Sequence, residues 1–472
     1  MLTILSQSER KRIADAGREI FAEVGVRLRY KPVYDRLVGA GAVPVAGDPD
    51  ALTIPGAMTD KYMALCPKSF TIKDRKNNAA SVESGGEPLF YTSNAVTYLR
   101  GASKTVTEIG ADELADFIRV ADALPHIHGA VGTGVVDFPP FARDFAGFFI
   151  MAQNTYKHLR PCIYTPSGVE AIIEMAHVIT DGAPLSENMF FTLGYSIVSP
   201  LTWSETALNL FDKSKGHKIP MMINSEPMAG GTSPVTLAGS LALSDAEIIS
   251  GIVINQVIEP GRPCVYNAGF AHVLDMMTTI VLTGAPENAL LQSAGAEMAA
   301  YHGLPCASWA LSDSLMLDSQ SAYEKYQTLL AHTLSGVNMI WGIGNTETSK
   351  TISPEAAVID NEIIGNCLRF KKGIEVDGDR LALELIKEVG FSGKFLETEH
   401  TFEYYRDELR TSNLPNRVNR IIWEQKGSKS IEEKAEATVD AILNKKPENY
   451  LSGPQIERLT KIRNRWIEGL GK

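Results

Sequence analysis

From residue 126 onward, short apolar runs rich in β-branched and aromatic residues alternate with longer stretches at helical spacing, and this alternation limits the possible folds more than any other feature. The runs that read as strands are HIHGAVGT (126–133), RPCIYTP (160–166), NMFFTLGYSI (188–197), IPMMINSE (219–226), RPCVYNAG (262–269), LPCASWALS (304–312) and VNMIWGIG (337–344). Helical patterns lie between them at 141–154, 168–179, 204–214, 243–257, 285–303 and 318–335. Strand followed by helix, repeated, implies parallel strands joined by right-handed crossovers. Seven units and a fainter eighth, placed near Glu375 or at 394–397, favour a closed barrel. An open doubly wound sheet is disfavoured because no strand runs into G-x-G-x-x-G with an acidic residue beyond it.

The expected architecture is therefore α/β, a (β/α)8 TIM-type barrel with an N-terminal helical and β cap and additional C-terminal helices. Residues 1–105 would form the helical prelude and a small β cap built from SFTIKD, PLFYTS and AVTYLR. Residues 106–400 would form the barrel, and 401–472 a helical extension packed on it or joining copies of the chain.

Composition narrows the function. A chain of 472 residues, 44% of them hydrophobic, can bury one large core. A net charge of -11 gives no basic footprint for nucleic acid. Cys66, Cys162, Cys264, Cys306 and Cys367 are scattered, with no C-x-x-C, which fits a reduced, cytoplasmic protein. The N-terminus turns charged within a few residues, and no uninterrupted apolar run reaches about 18 residues, so neither export nor a membrane span is expected.

In barrels the C-terminal strand ends carry the active site. Here those ends offer Gly134, Asp137, Tyr164, Tyr195, Ser199, Trp203, Glu226, Asn267, Phe270, Trp309, Ser312, Asp313 and Gly344 to Glu347. The set is rich in aromatic, acidic and amide groups and lacks G-x-S-x-G or any prominent nucleophile with a base. His126 and His128 alternate on one strand without a third ligand, so no metal is expected. Aromatic faces with one or two carboxylates suit an organic cation too bulky to accept a hydrogen bond, a quaternary ammonium above all. In NSEPMAGGTSPVT (224–236) a strand ends in a carboxylate and a Gly-Gly turn follows, so the N–H groups of Gly231, Thr232 and Ser233 are candidates to face a substrate carboxylate. Buried Glu226 would require a cationic ligand or an arginine partner.

SEPMAGGTSPVTLAG (225–239), SDSLMLDSQSAYEK (312–325), VIDNEI (358–363), ADALPHI (121–127) and HTFEYYRDEL (400–409) together resemble the trimethylamine:corrinoid methyltransferase family over nearly the whole chain. The resemblance implies a (β/α)8 barrel that moves a methyl group from an amine to the Co(I) of a separate corrinoid-binding protein. Founding members carry pyrrolysine, and this chain has none; the corresponding place falls near Leu311 to Asp313. The chain is more similar to the branch lacking that residue, whose members use quaternary amines such as glycine betaine. That branch implies glycine betaine as substrate, giving dimethylglycine. Proline betaine, carnitine and γ-butyrobetaine are alternatives, as is a barrel that binds betaine without turning it over.

On this reading Glu226 and Asp313 supply negative potential near the ammonium. Tyr98, Tyr195, Trp203, Phe270 and Trp309 wall it. Asn267, Ser312 and the amides of Gly231 and Thr232 address the rest of the substrate. The corrinoid (cobalamin) belongs to the partner, since no D-x-H-x-x-G run occurs here. The extra C-terminal helices point to a homo-oligomer.

Overall fold

The structure, a computed structural model, describes residues 2–93, 97–101, 104–269, 272–391, 393–412 and 414–471. Its centre is a set of short parallel strands: β1 (Leu89–Thr92), β2 (Gly129–Val131), β3 (His158–Arg160), β4 (Leu193–Ser196), β5 (Met221–Asn224), β6 (Cys264–Asn267), β7 (Ala307–Trp309) and β8 (Met339–Ile343). A helix follows each: α1 (Ala111–Ala123), α2 (Arg143–Asn154), α3 (Pro166–Ile179), α4 (Glu205–Lys213), α5 (Leu237–Ile258), α6 (Pro286–Tyr301), α7 (Ser319–Ser335) and α8 (Pro354–Lys372). The strands pair in the orders β3-β2-β1-β8-β7 and β4-β5-β6. Isolated parallel bridges Leu159–Phe191 and Tyr266–Cys306 connect the edges of these two sheets.

The local sequence explains the elements. Strands MMIN, CVYN and MIWGI are buried at every position, as parallel strands covered on both faces must be. Helix α3 starts at Thr165, whose side chain accepts from the Gly168 amide, with Pro166 in the first turn; α8 repeats this with Ser353 and Pro354. Helix α5 is apolar enough to cross a membrane by length and composition, yet 83% of its most apolar window is buried inside the protein. It packs between the strands and the N-terminal helices Gln7–Glu23, Lys31–Ala40 and Gly56–Met63, which is why it is apolar all round.

One strand departs from expectation. The region around Glu375 is not a strand, and Phe395–Glu397 is a turn of 3-10 helix. The remaining strand is β1, from the segment read as cap, which pairs with β8 and β2. Its helix follows only after the strands Tyr98–Arg100 and Val106–Glu108, and this detour conceals the strand-helix period. The antiparallel hairpin Ser69–Lys73 and Ala79–Glu83 places Phe70, Ile72 and Val82 in one apolar cluster with Leu89, Tyr91, Val131, Met222, Trp309 and Trp341. The C-terminal helices clad the outside: Ile431–Leu443 lies on α1 and α8, and Gly453–Leu470 on α2 and α3. Between α8 and Ile431 the short helices bury no residue, and Phe391, Leu396, Phe402 and Ile421 are exposed along this segment.

Candidate functional site

Alternation along β3 points His158 and Arg160 into the inner cluster. The Tyr91 hydroxyl lies 3.3 Å from His158 Nδ1, and the Arg160 guanidinium stacks 4.4 Å from the Trp341 ring centroid. Trp341 is paired in register with Trp309, and their rings meet edge to face at 5.7 Å. Arg160 Nε donates to the Met222 thioether at 3.2 Å. A Cβ at Gly194 would sit 2.9 Å from Nη2 of Arg160 and from Met222 Cβ, so β4 needs glycine there to let the guanidinium in.

Toward the C-terminal ends, Ser196, Asn224 and Asn267 stand in register on β4, β5 and β6. Asn267 Nδ2 donates to Asn224 Oδ1 at 2.6 Å, and Asn267 Oδ1 accepts from the Gly269 amide at 2.9 Å. Asn224 Nδ2 reaches Ser196 Oγ at 3.5 Å, and Ser196 Oγ donates to Glu226. This chain of hydrogen bonds holds the carboxylate at the end of β5. Burial raises the Glu226 carboxyl above the ordinary carboxylate range, while the Ser196 bond and the charge of Arg160 pull it back.

A second carboxylate, Glu247 of α5, is fully buried nearby. It accepts from Ser225 Oγ at 2.6 Å, Ser199 Oγ at 2.8 Å and the Leu201 amide at 2.9 Å. Its pKa is likewise raised, first by burial, and Glu226 adds to the shift. Glu247 is thus saturated with donors, whereas Ser196 is the one hydrogen-bond donor to Glu226 among the described residues. Of the two carboxylates Glu226 therefore has the fewer hydrogen-bond donors.

The other residues expected in the site divide. Asn267 takes part in the hydrogen-bond chain to Glu226 and Trp309 meets Trp341 edge to face, both buried. Tyr195 packs on the main core, and its phenol is raised by burial and by the nearby Cys162 and Glu226. Tyr98 is partly exposed and pairs with Thr351, and the adjacent Thr97 lines a cavity of about 360 Å³ with Glu108, Gly134, Arg143 and Tyr164. Phe270 lies outside the described residues.

Three of the expected groups are engaged in other contacts. Trp203 is no cage wall: it pairs with Leu28, donates from Nε1 to Ser250 Oγ at 2.9 Å and packs on Phe211, fully buried between α5 and the strands. The amides of Gly231, Thr232 and Ser233 all donate to the Met228 carbonyl, and Thr232 Oγ1 accepts from the Met228 amide, so the turn closes on itself and leaves none of these amides free. Asp313 accepts from Thr283 N and Oγ1, Gly284 N and Thr348 Oγ1 at 2.6 to 2.9 Å, clasping three loops together. Ser312, beside it, donates to Glu324 at 2.7 Å.

Arg160, Ser196 and Glu247 escaped the sequence reading. The signal for Arg160 was a charge at the head of the apolar run RPCIYTP, and for Glu247 an acid inside an apolar helix. Among the described residues no three His, Cys, Asp or Glu side chains gather as metal ligands.

The profile of the family described as trimethylamine methyltransferase (MTTB) matches residues 1–465. A glycine betaine methyltransferase of Desulfitobacterium hafniense (strain Y51) is 28% identical over 425 residues, covering 89% of this chain and 88% of the relative. A trimethylamine methyltransferase of Methanosarcina thermophila is 29% identical over 463 residues, covering 94% of this chain and 93% of the relative. The crystal structure of the monomethylamine methyltransferase of Methanosarcina barkeri superimposes with a TM-score of 0.53 at 12% identity, over 84% of this chain and 85% of that one. That last likeness is one of fold.

Proposed function

The chain belongs to the trimethylamine methyltransferase family, and from that premise we propose that it demethylates a quaternary amine, glycine betaine first, passing the methyl group to a corrinoid carried by a separate protein. The observation that carries this reading is Glu226: a carboxylate at the end of β5, in a site that also holds the Trp309–Trp341 pair. Anion and aromatic faces together suit an ammonium that has no N–H to donate.

The chemistry asks little acid or base of the protein. The N–CH3 bond breaks with its electron pair staying on nitrogen, so a quaternary ammonium leaves as a neutral tertiary amine with no proton moved. The corrinoid would supply the electron pair that takes up the methyl group. This chain's residues bind and orient the substrate: Glu226 draws the ammonium to the strand ends, and the Ser196–Asn224–Asn267 hydrogen bonds fix that carboxylate. Exposed Met276, Met277, Leu315 and Met316, on loops after β6 and β7, support docking of a corrinoid protein over this end.

In the same reading the eight strands close into a (β/α)8 barrel, supported by the two bridges at the sheet edges. The barrel domain then begins at Leu89, with residues 401–472 as its extension. The exposed apolar residues between α8 and Ile431 support a homo-oligomer, and five unbridged cysteines support a cytoplasmic setting. The test is incubation with N-13C-methyl glycine betaine, the corrinoid protein and a reductant, followed by NMR. Labelled dimethylglycine is the expected product; unchanged betaine at every protein concentration refutes the reading.

A further inference from the structure

We propose that Arg160 is the anion-recognition group of the site, so that the quaternary amine it admits carries a carboxylate; this rests on the quaternary-amine reading above. Arg160 is 3% exposed, and its stem and ring contacts are those to Trp341 and Met222. Among the described residues its two terminal nitrogens donate to no oxygen, and no ion pair joins it to Glu226. The other buried arginines behave differently. Arg262 donates to the Ile219 and Phe211 carbonyls and to Ser214 Oγ, and lies beside Glu259. Arg100 donates from Nη2 to Glu432 Oε1 at 2.7 Å.

A guanidinium held out of water without oxygen acceptors is costly, and a carboxylate that meets its fork bidentately relieves that cost. Burial lowers the Arg160 pKa to about 10, which leaves it charged at neutral pH. Glycine at 194 lets Nη2 pack directly against β4. Glu226 and Arg160 are thus a separated pair of opposite charges, complementary to a zwitterion: ammonium toward the carboxylate, carboxylate toward the guanidinium. Choline and tetramethylammonium supply only half of that match.

The test is calorimetric binding of glycine betaine, choline and tetramethylammonium to the full chain, with no corrinoid present. Glycine betaine should bind about 100-fold more tightly than choline, the discrimination expected of a desolvated, charge-assisted pair. R160M should lose that factor for betaine and leave choline unchanged, and R160K, charged but without the fork, should fall between. Betaine and choline binding within threefold of each other, no betaine binding at all, or a preference that survives R160M each overturns the proposal. If R160M does not fold by circular dichroism, the wild-type ratio and R160K decide. Betaine bound through Arg160 without methyl transfer would refute the methyltransferase reading alone. Methyl transfer from choline as fast as from betaine would refute the role of Arg160 alone.

Discussion

Replacing Glu226 by Gln removes one charge and keeps the shape, and the amide oxygen can still accept from Ser196 Oγ. In the bound state an ammonium nitrogen can come no closer to a carboxylate oxygen than about 4–5 Å, because methyl groups intervene; at an effective dielectric near 20 the attraction is about 3–4 kcal/mol. Its loss corresponds to roughly 10² to 10³ in affinity. The rate of the chemical step should respond differently. Positive charge leaves the nitrogen as the N–CH3 bond breaks, so Glu226 stabilises the bound ammonium more than the transition state. The Gln variant should therefore raise KM for glycine betaine by about 100-fold or more while kcat holds or rises. Because burial disfavours the ionised carboxyl, Gln should also hold or raise the melting temperature near neutral pH. Steady-state kinetics with the corrinoid protein in excess, and scanning calorimetry of the free protein, read both quantities. A variant with unchanged KM, or one in which kcat falls 100-fold at unchanged KM, refutes this assignment of Glu226.

Trp203→Phe loses the hydrogen bond to Ser250 and part of a buried ring, so it should cost about 2 kcal/mol in urea unfolding with no change in betaine affinity; a tenfold affinity loss would restore Trp203 to the site. Asp313→Ala strips four donors of their acceptor and should cost about 2–4 kcal/mol, read as a lower urea midpoint, and choline and betaine affinities should fall together rather than selectively. Betaine binding should weaken as pH falls through the raised Glu226 pKa, approaching about tenfold per pH unit below it, because the protonated acid no longer attracts the ammonium. Glu226→Gln should flatten that calorimetric pH profile, and a wild-type profile that is already flat would contradict the role of Glu226.

Most of the fold was readable because parallel strands buried on both faces are continuous apolar runs, and long amphipathic or capped helices separate them. β1 reads as part of the cap because its four residues lead into a small strand pair rather than directly into α1. Of the proposed site, Glu226, Asn267 and Trp309 stood out in the sequence as polar or aromatic residues at strand ends. Trp203 was misplaced because nearness to Tyr195 in sequence suggested the same end of the strands, whereas the chain turns back after β4 and pairs with Val26–Leu28. The Gly-Gly turn has the sequence of an anion cradle, but the amides of Gly231, Thr232 and Ser233 donate to the Met228 carbonyl and that of Gly230 to Ser233. Arg160 could not be recognised from RPCIYTP, since only strand register shows that its side chain faces Trp341.

The most direct test of the central claim mixes the protein with reduced corrinoid protein and follows the Co(I) absorbance while glycine betaine, choline and trimethylamine are added separately. The account predicts rapid loss of the Co(I) band with glycine betaine and a persistent band with trimethylamine. A band that persists with glycine betaine, or one that disappears equally with trimethylamine, contradicts it.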